Sequence, residues 1–253
     1  MFYRLKRHPF PLEAHFEFTL VLTYAFPRKI LEPLLFPGLE LDTFCDFGFV
    51  AIALVQTTAM RPKGFPAWIG QSFFLTGYRI FTRYKTRKGQ NLRGLRILRS
   101  DTDKLPMVFF GNVLTHYKYH LASVDCQKSK EQMHITINSA DGKADLEVMA
   151  DLDVISLPPS SPFADDREAR KFVGPLPFTF DYEEQTHSII RVEGVRKEWA
   201  PRLVNARVQK ASFFDQQPFD QELTPKFASA FYLEDVAYFW RAGVKETLIA
   251  GRR

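Results

Sequence analysis

The sequence predicts an α+β fold that is mainly β, with a few short helices. Three observations carry that expectation. The chain has 253 residues, 45% of them apolar, so it can bury a sizeable core. It holds 25 phenylalanines and nine tyrosines, and such rings suit the pleated, half-buried surface of a sheet. Many stand in runs of period two, bounded by Gly, Pro and Asp clusters, which is the pattern of strands separated by turns.

In order, Phe16 to Phe26 alternates as a strand, and Pro27 to Leu35 suits a short helix with proline in its first turn. Phe36-Pro-Gly38 turns the chain. Leu39 to Phe44 and Gly48 to Met60 read as a hairpin around Cys45-Asp-Phe47, the second strand being apolar enough for burial on both faces. Arg61 to Pro66 is a loop. Ser72 to Thr86 and Leu92 to Ser100 form a second hairpin across the glycine-containing turn Arg87 to Asn91. On its first strand Arg79, Arg83 and Lys85 share a face with Leu75 and Phe81, while Phe74, Tyr78, Ile80 and Tyr84 share the other. That basic face is either solvent or a cavity wall.

Asp103 to Thr115 predicts a helix capped by Asp101 or Asp103. Lys118 to Cys126 and Gln132 to Asn138 follow as strands, and Asp141-Gly142 marks a further hairpin. The proline-rich stretch near 156–163 is the best linker, since consecutive prolines oppose both helix and ladder pairing. Ala164 to Phe172 carries acids first and bases last, which complements a helix dipole. His187 to Val195, Leu203 to Phe214 and Ala228 to Trp240 return to strand patterns. Length alone permits one large β-rich domain or two small ones.

Composition narrows the classes of function. Cys45 and Cys126 are the two cysteines, far apart and in no Cys-x-x-Cys spacing, which suggests a reducing compartment and no thiolate metal site. The longest apolar run, Phe49 to Val55, is seven residues, against about 20 for a membrane helix. Pro9, Pro11 and Glu13 stand where a signal peptide would place its apolar segment. The expectation is a cytoplasmic protein with no membrane partner. The formal net charge is +5, and eight Lys or Arg with no acid lie between Arg79 and Arg99. Such a run can neutralise phosphates, but it lies in no recognisable nucleic-acid motif, so nucleic acid is the less favoured partner.

His116 and His120 are four apart, yet Tyr117 stands where the zincin pattern needs glutamate. On a strand the two rings would lie about 13 Å apart, too far to share an ion. No metal site is predicted. The chain has no Gly-x-Ser-x-Gly elbow, P-loop or dinucleotide fingerprint, and no cofactor is predicted. Lys118, midway between the histidines, is a candidate amine nucleophile only if desolvation or a second cation depresses its pKa, and no Lys or Arg adjoins it.

Leu31 to Asp42 (LEPLLFPGLELD), the long strand after it, Ser100-Asp-Thr-Asp103 and Gly111 to Ala122 (GNVLTHYKYHLA) resemble, in that order, the YqjF-like family, which is distantly similar to acetoacetate decarboxylase. Gly174 to Tyr182 and His187 to Glu193 look like a subgroup of the same family. The resemblance implies a single domain over 1–253, with antiparallel sheets forming a central cone or barrel around a small-molecule cavity. In the decarboxylase the stretch equivalent to GNVLTHYKYHLA carries two adjacent lysines, a Schiff-base nucleophile and the cation that depresses its pKa. Counting from Gly111 sets Tyr119 and His120 against them, and Lys118 falls one place early. Because side chains alternate along a strand, Lys118 is expected on the opposite face. A Glu-x-Asn-x-Arg strand motif of the family reads here Leu75-Thr-Gly-Tyr-Arg79, keeping only the arginine.

The candidate ligand-binding residues are therefore Arg79, His116, Tyr119 and His120, and the candidate catalytic groups are His120 and Lys118. The expected partner is a small molecule, an organic acid if Arg79 lines the cavity. A Schiff-base lyase using Lys118 and nucleic-acid binding through 79–99 are the competing readings. A homo-oligomer is compatible with the sequence.

Overall fold

Alternation along Leu12–Pro27 makes β1 a two-faced strand. Phe18, Leu20, Leu22, Tyr24 and Phe26 enter one core, while Phe16, Thr19 and Val21 face an internal cavity. Phe16 and Phe18 are two apart yet face opposite ways because the pairing slips between them, as a bulge requires. The computed structural model describes residues 2–174, 176–221 and 225–248.

After β1 come a short helix α1 (Arg28–Leu31), β2 (Leu39–Leu41), β3 (Phe47–Pro62), β4 (Gln71–Lys85) and β5 (Asn91–Thr102). Helix α2 (Leu105–Leu114) leads to β6 (Tyr119–Lys128), β7 (Gln132–Ser139) and β8 (Leu146–Asp151). Helix α3 (Asp166–Val173) is followed by β9 (Phe178–Glu183), β10 (Ser188–Arg196), β11 (Arg202–Leu203), β12 (Asn205–Ala211), β13 (Lys226–Trp240) and β14 (Val244–Thr247). The fold is mainly β, as its composition and periodicity predict.

The pairings close a ring. β4 pairs β5, β5 pairs β9, and the path continues through β10, β13, β1 and β3 back to β4. At its C-terminal end β5 also pairs in parallel with β6, through Ser100 and Tyr119. There a second sheet, β6, β7, β8 and β12, leaves the ring. The largest core lies between this sheet and the outer face of β1, β3, β4 and β13, with Ile135, Ile137 and Val148 meeting Leu20, Ile52 and Tyr78. Strand β3 is buried on both faces over Gly48–Val55, since one side belongs to that core and the other to the ring interior.

Some expectations are corrected. β2 does not pair with β3 as a hairpin. It lies along β4, Leu39 opposite Tyr84, and a single bridge joins Phe44 to Phe47. Placing β2 there puts the buried Asp42 carboxylate 2.6 Å from both Arg83 Nε and Arg93 Nε, which satisfies a charge that would otherwise be desolvated. Helix α2 has no side-chain cap: its N-cap is Lys104. Asp103 Oδ1 instead accepts the Phe74 amide at 2.8 Å, and Asp101 is held by Arg99. The strand expected over Leu203 to Phe214 divides, because β11 pairs β13 while β12 crosses to β8. Helix α3 forms as predicted, its N-cap Asp165 accepting the Glu168 amide at 2.7 Å. The 156–163 stretch is coil, and strands on either side of it contribute to both sheets.

Candidate functional site

Gly111 to Ala122 builds one wall of the ring's interior. Gly111 lies in α2 against the ring of Tyr119, where a Cβ would stand 2.5 Å from Cε2. Asn112 clamps the Tyr119 backbone, its Oδ1 accepting the amide at 2.9 Å and its Nδ2 donating to the carbonyl at 2.8 Å. Thr115 Oγ1 donates to the Gly111 carbonyl at 2.7 Å and accepts the Tyr117 amide at 3.1 Å. These short-range bonds aim Tyr117 and Tyr119 into the same cavity.

That cavity is a chamber of about 160 Å³ inside the ring. Its walls are apolar for the most part, with Val21, Ala53, Leu75, Phe81 and Ile97 projecting from the strands. The charged side chains among its described lining residues are Arg79 and Arg196, and no Asp, Glu or Lys is among them. Arg79 projects from β4, on the face it shares with Leu75 and Phe81. Its Nε is buried without a hydrogen-bond partner, and burial pulls its pKa below the ordinary arginine value, against the opposing field of Tyr238, Tyr119 and Tyr117. Arg196 Nη1 donates to the Tyr238 hydroxyl at 3.2 Å, and its guanidinium lies 4.2 Å from the centre of the Trp199 ring.

Tyr117 and Tyr119 have their phenol pKa pushed up, by desolvation above all, so both are neutral hydrogen-bonding groups near pH 7. Tyr117 hydroxyl lies 2.8 Å from Thr179 Oγ1. Behind this wall Asp181 is 4% exposed, and burial lifts its carboxyl pKa to about 7 although Arg96 and Lys118 pull it down. His8, also on the chamber wall, is driven by burial down to about 4 and is neutral.

The predicted residues divide. Arg79 and Tyr119 line the chamber. His116 and His120 are not among its lining residues. His120 is exposed on the side facing Asp141, with Nδ1 3.8 Å from Oδ2, and desolvation and then Arg99 lower its pKa. His116 is half-buried with an unpartnered Nε2. Lys118 is exposed, with φ of 53°, a left-handed turn that ends the bend before β6 begins. Sequence reasoning missed Tyr117, His8, Arg196 and Tyr238. The accessible signals were glycines: Gly194, like Gly111, leaves room for an aromatic ring, since its Cβ would stand 2.7 Å from Tyr238 Cζ.

Much of the basic run is engaged within the chain. Arg83 and Arg93 share Asp42, Arg96 lies 3.8 Å from the centre of the Phe36 ring, and Arg99 pairs with Asp101 and Asp141. Among the described residues no helix is long and apolar enough to cross a membrane, and no three His, Cys, Asp or Glu side chains gather to hold a metal ion.

The sequence matches DUF2071, a family described as an uncharacterized conserved protein, over residues 13–236. The chain belongs to that family. No curated protein matches it significantly. In structure this DUF2071 ring is similar to acetoacetate decarboxylase from Legionella pneumophila, with TM-score 0.63 at 10% identity over 94% of this chain and 88% of that one. It is similar to the enduracididine biosynthesis enzyme MppR complexed with pyruvate, with TM-score 0.62 at 10% identity over 94% and 90%. An acetoacetate decarboxylase-like enzyme from Sphingomonas wittichii RW1 gives TM-score 0.61 at 12% identity over 97% and 94%. At these identities the likeness shows a shared acetoacetate decarboxylase-like fold.

Proposed function

We propose that the chamber binds a small organic anion whose carboxylate sits on Arg79. One observation carries this reading: a guanidinium inside the ring, its Nε unpartnered, faces a cavity with no acid among the described lining residues. A desolvated, unpaired cation costs several kcal/mol, on the order of 3–5 when its partner is missing. A carboxylate ligand removes that penalty and accepts two parallel N–H donors from the planar fork. Arg196 adds positive potential to the same chamber from β10, and the neutral phenols of Tyr117 and Tyr119 supply donors that orient the ligand without repelling it. The similar fold of MppR was solved with pyruvate, itself a small carboxylate, which supports an anion in a cavity of this fold.

The competing Schiff-base reading needs an amine on the chamber wall. Lys118 is the amine nearest in sequence to the decarboxylase position, and it is exposed. Borohydride treatment with acetoacetate is expected to leave the intact mass unchanged, and a lysine adduct lost in Lys118→Ala would restore that mechanism.

Calorimetric titration with pyruvate, acetoacetate and butyrate tests the binding reading directly. At least one is expected to bind, and Arg79→Met to weaken it by about 30-fold or more, as truncating one partner of a buried charge pair does. Arg79→Lys keeps the charge but loses the fork, and falls between. No measurable binding of any carboxylate, or equal binding by Arg79→Met, would sink the reading.

A further inference from the structure

A second cavity of about 290 Å³ adjoins the chamber at one end of the ring. The two share five lining residues, His8, Leu12, Met60, Met107 and Thr115, so a single layer of side chains separates them. That layer is not uniform. The His8 backbone is tied at both ends, its amide to the Leu114 carbonyl at 3.0 Å and its carbonyl to the Gly243 amide at 2.9 Å, and Thr115 Oγ1 holds two hydrogen bonds. Met60 and Met107 are different: their unbranched thioethers have three rotatable bonds and no strong hydrogen-bonding group to give up when they move.

The outer cavity is apolar where the chamber is charged. Phe10, Ile69, Phe110 and Leu114 line it, and Trp68 and Phe109, chain neighbours of Ile69 and Phe110, are exposed. The one arginine among its described lining residues, Arg61, is neutralised by Glu13 at 2.8 Å and donates to the Ala59 and Phe65 carbonyls. Charge therefore sits at the inner end and hydrocarbon surface at the outer end. A ligand matched to that gradient has one anionic head and an apolar tail, whereas a dicarboxylate would leave its second charge among aromatic and aliphatic walls.

We propose that chamber and outer cavity are the two halves of one tunnel, divided by Met60 and Met107, for a medium-chain monocarboxylate. This rests on the Arg79 reading above and adds the ligand class. The carboxylate sits on Arg79, and the tail displaces the two methionine side chains and enters the outer cavity. A dry cavity of about 150 Å³ holds a benzene-sized group, so the chamber takes roughly six non-hydrogen atoms and the outer cavity about twice as many. Together they hold roughly 18 non-hydrogen atoms, so straight chains of about eight to twelve carbons fit the pair with room to spare.

The test is a titration of the full chain with butyrate, hexanoate, octanoate and decanoate. Affinity is expected to rise about three- to fourfold for each added methylene, the gain for burying a CH₂. Met107→Trp, which fills the passage, is expected to flatten the series so that decanoate binds no tighter than butyrate. Met60→Trp is the second variant, with circular dichroism used to check that each is folded. If butyrate binds but the wild-type affinity does not rise with length, the tunnel is refuted and the anion site stands. If decanoate keeps its advantage in both folded variants, the methionine divide is refuted. If no member binds, the Arg79 reading fails first and the tunnel with it.

Discussion

Arg79 folds back along its own strand onto Gly77, so that a Cβ at Gly77 would stand 2.8 Å from Nε and 2.9 Å from Nη2. The two residues share a face of β4, and the missing side chain at 77 is the space the guanidinium occupies. Gly77→Ala tests that fit. The obstructed atoms are the end of a flexible side chain rather than backbone, and alanine suits a strand interior better than glycine. The fold should therefore tolerate the change, with a melting temperature within a few degrees of wild type by the usual scale of about 1 kcal/mol. Carboxylate affinity should fall about tenfold, because the fork is pushed off its position. A melting temperature loss with unchanged affinity would refute the role given to Gly77.

Gly111→Ala sets two effects of opposite sign against each other. Within helix α2 alanine is favoured over glycine by about 1 kcal/mol. Against that, the new methyl meets the buried ring of Tyr119, 2.5 Å from Cε2 and closer still to Cδ2. Tyr119 cannot turn away without releasing the chamber wall, since Asn112 clamps its backbone. Overpacking of this kind costs typically 1–3 kcal/mol, and the steric term wins. Urea unfolding should show a net loss of up to about 2 kcal/mol, together with weakened ligand binding.

Strand periodicity made part of this site readable. Leu75, Arg79 and Phe81 do line the chamber and Phe74, Tyr78 and Ile80 the opposite core, because β4 keeps its alternation over that span. The parity argument also placed Tyr119 and Lys118 on different sides. His120 follows Tyr119 along β6 and so turns to the other side, as alternation requires, whereas His116 lies before the left-handed turn at Lys118 and outside the strand. Period two has no meaning across such a bend. Arg196 and Tyr238 were harder to read for another reason: they reach the chamber on β10 and β13, strands far apart in sequence, and the one local trace is Gly194, whose missing side chain makes room for the Tyr238 ring. The β2 placement escaped for the same cause, being decided by Asp42 meeting Arg83 and Arg93 rather than by its turn.

Asp181 and His8 give stability opposite dependences on pH. The Asp181 carboxyl is raised to about 7 by burial, so the unfolded chain gives up that proton first. Its contribution is full below about 4 and is lost as pH rises through 7, on the order of 4 kcal/mol in all. His8 is lowered to about 4 by burial, so the unfolded chain takes up a proton first. Its contribution is full above about 6.5 and is lost as pH falls toward 4, roughly 3 kcal/mol. Asp181→Asn should therefore gain on wild type steadily between pH 4 and pH 7 in thermal melts. His8→Asn, which tolerates the left-handed backbone at φ of 55°, should gain on wild type as pH drops through the same window. Parallel curves for variant and wild type would remove either residue as a buried titrating group.

Arg99 ties the second sheet to the ring. Its Nη2 lies 2.6 Å from Asp101 Oδ1 on β5 and its Nη1 2.8 Å from Asp141 Oδ2 in the turn between β7 and β8. Arg99 is 7% and Asp101 1% exposed, so removing the cation strands a buried carboxylate. Arg99→Met should cost about 3–5 kcal/mol in urea unfolding. Asp141 keeps a third of its side-chain surface, and Asp141→Asn should cost about 1 kcal/mol or less. The pair Arg99→Met with Asp101→Leu removes both charges at once and should recover most of the loss, because a well-packed apolar replacement of a buried ion pair is often neutral. Additive losses in the double variant would mean that the two residues act separately rather than as one pair.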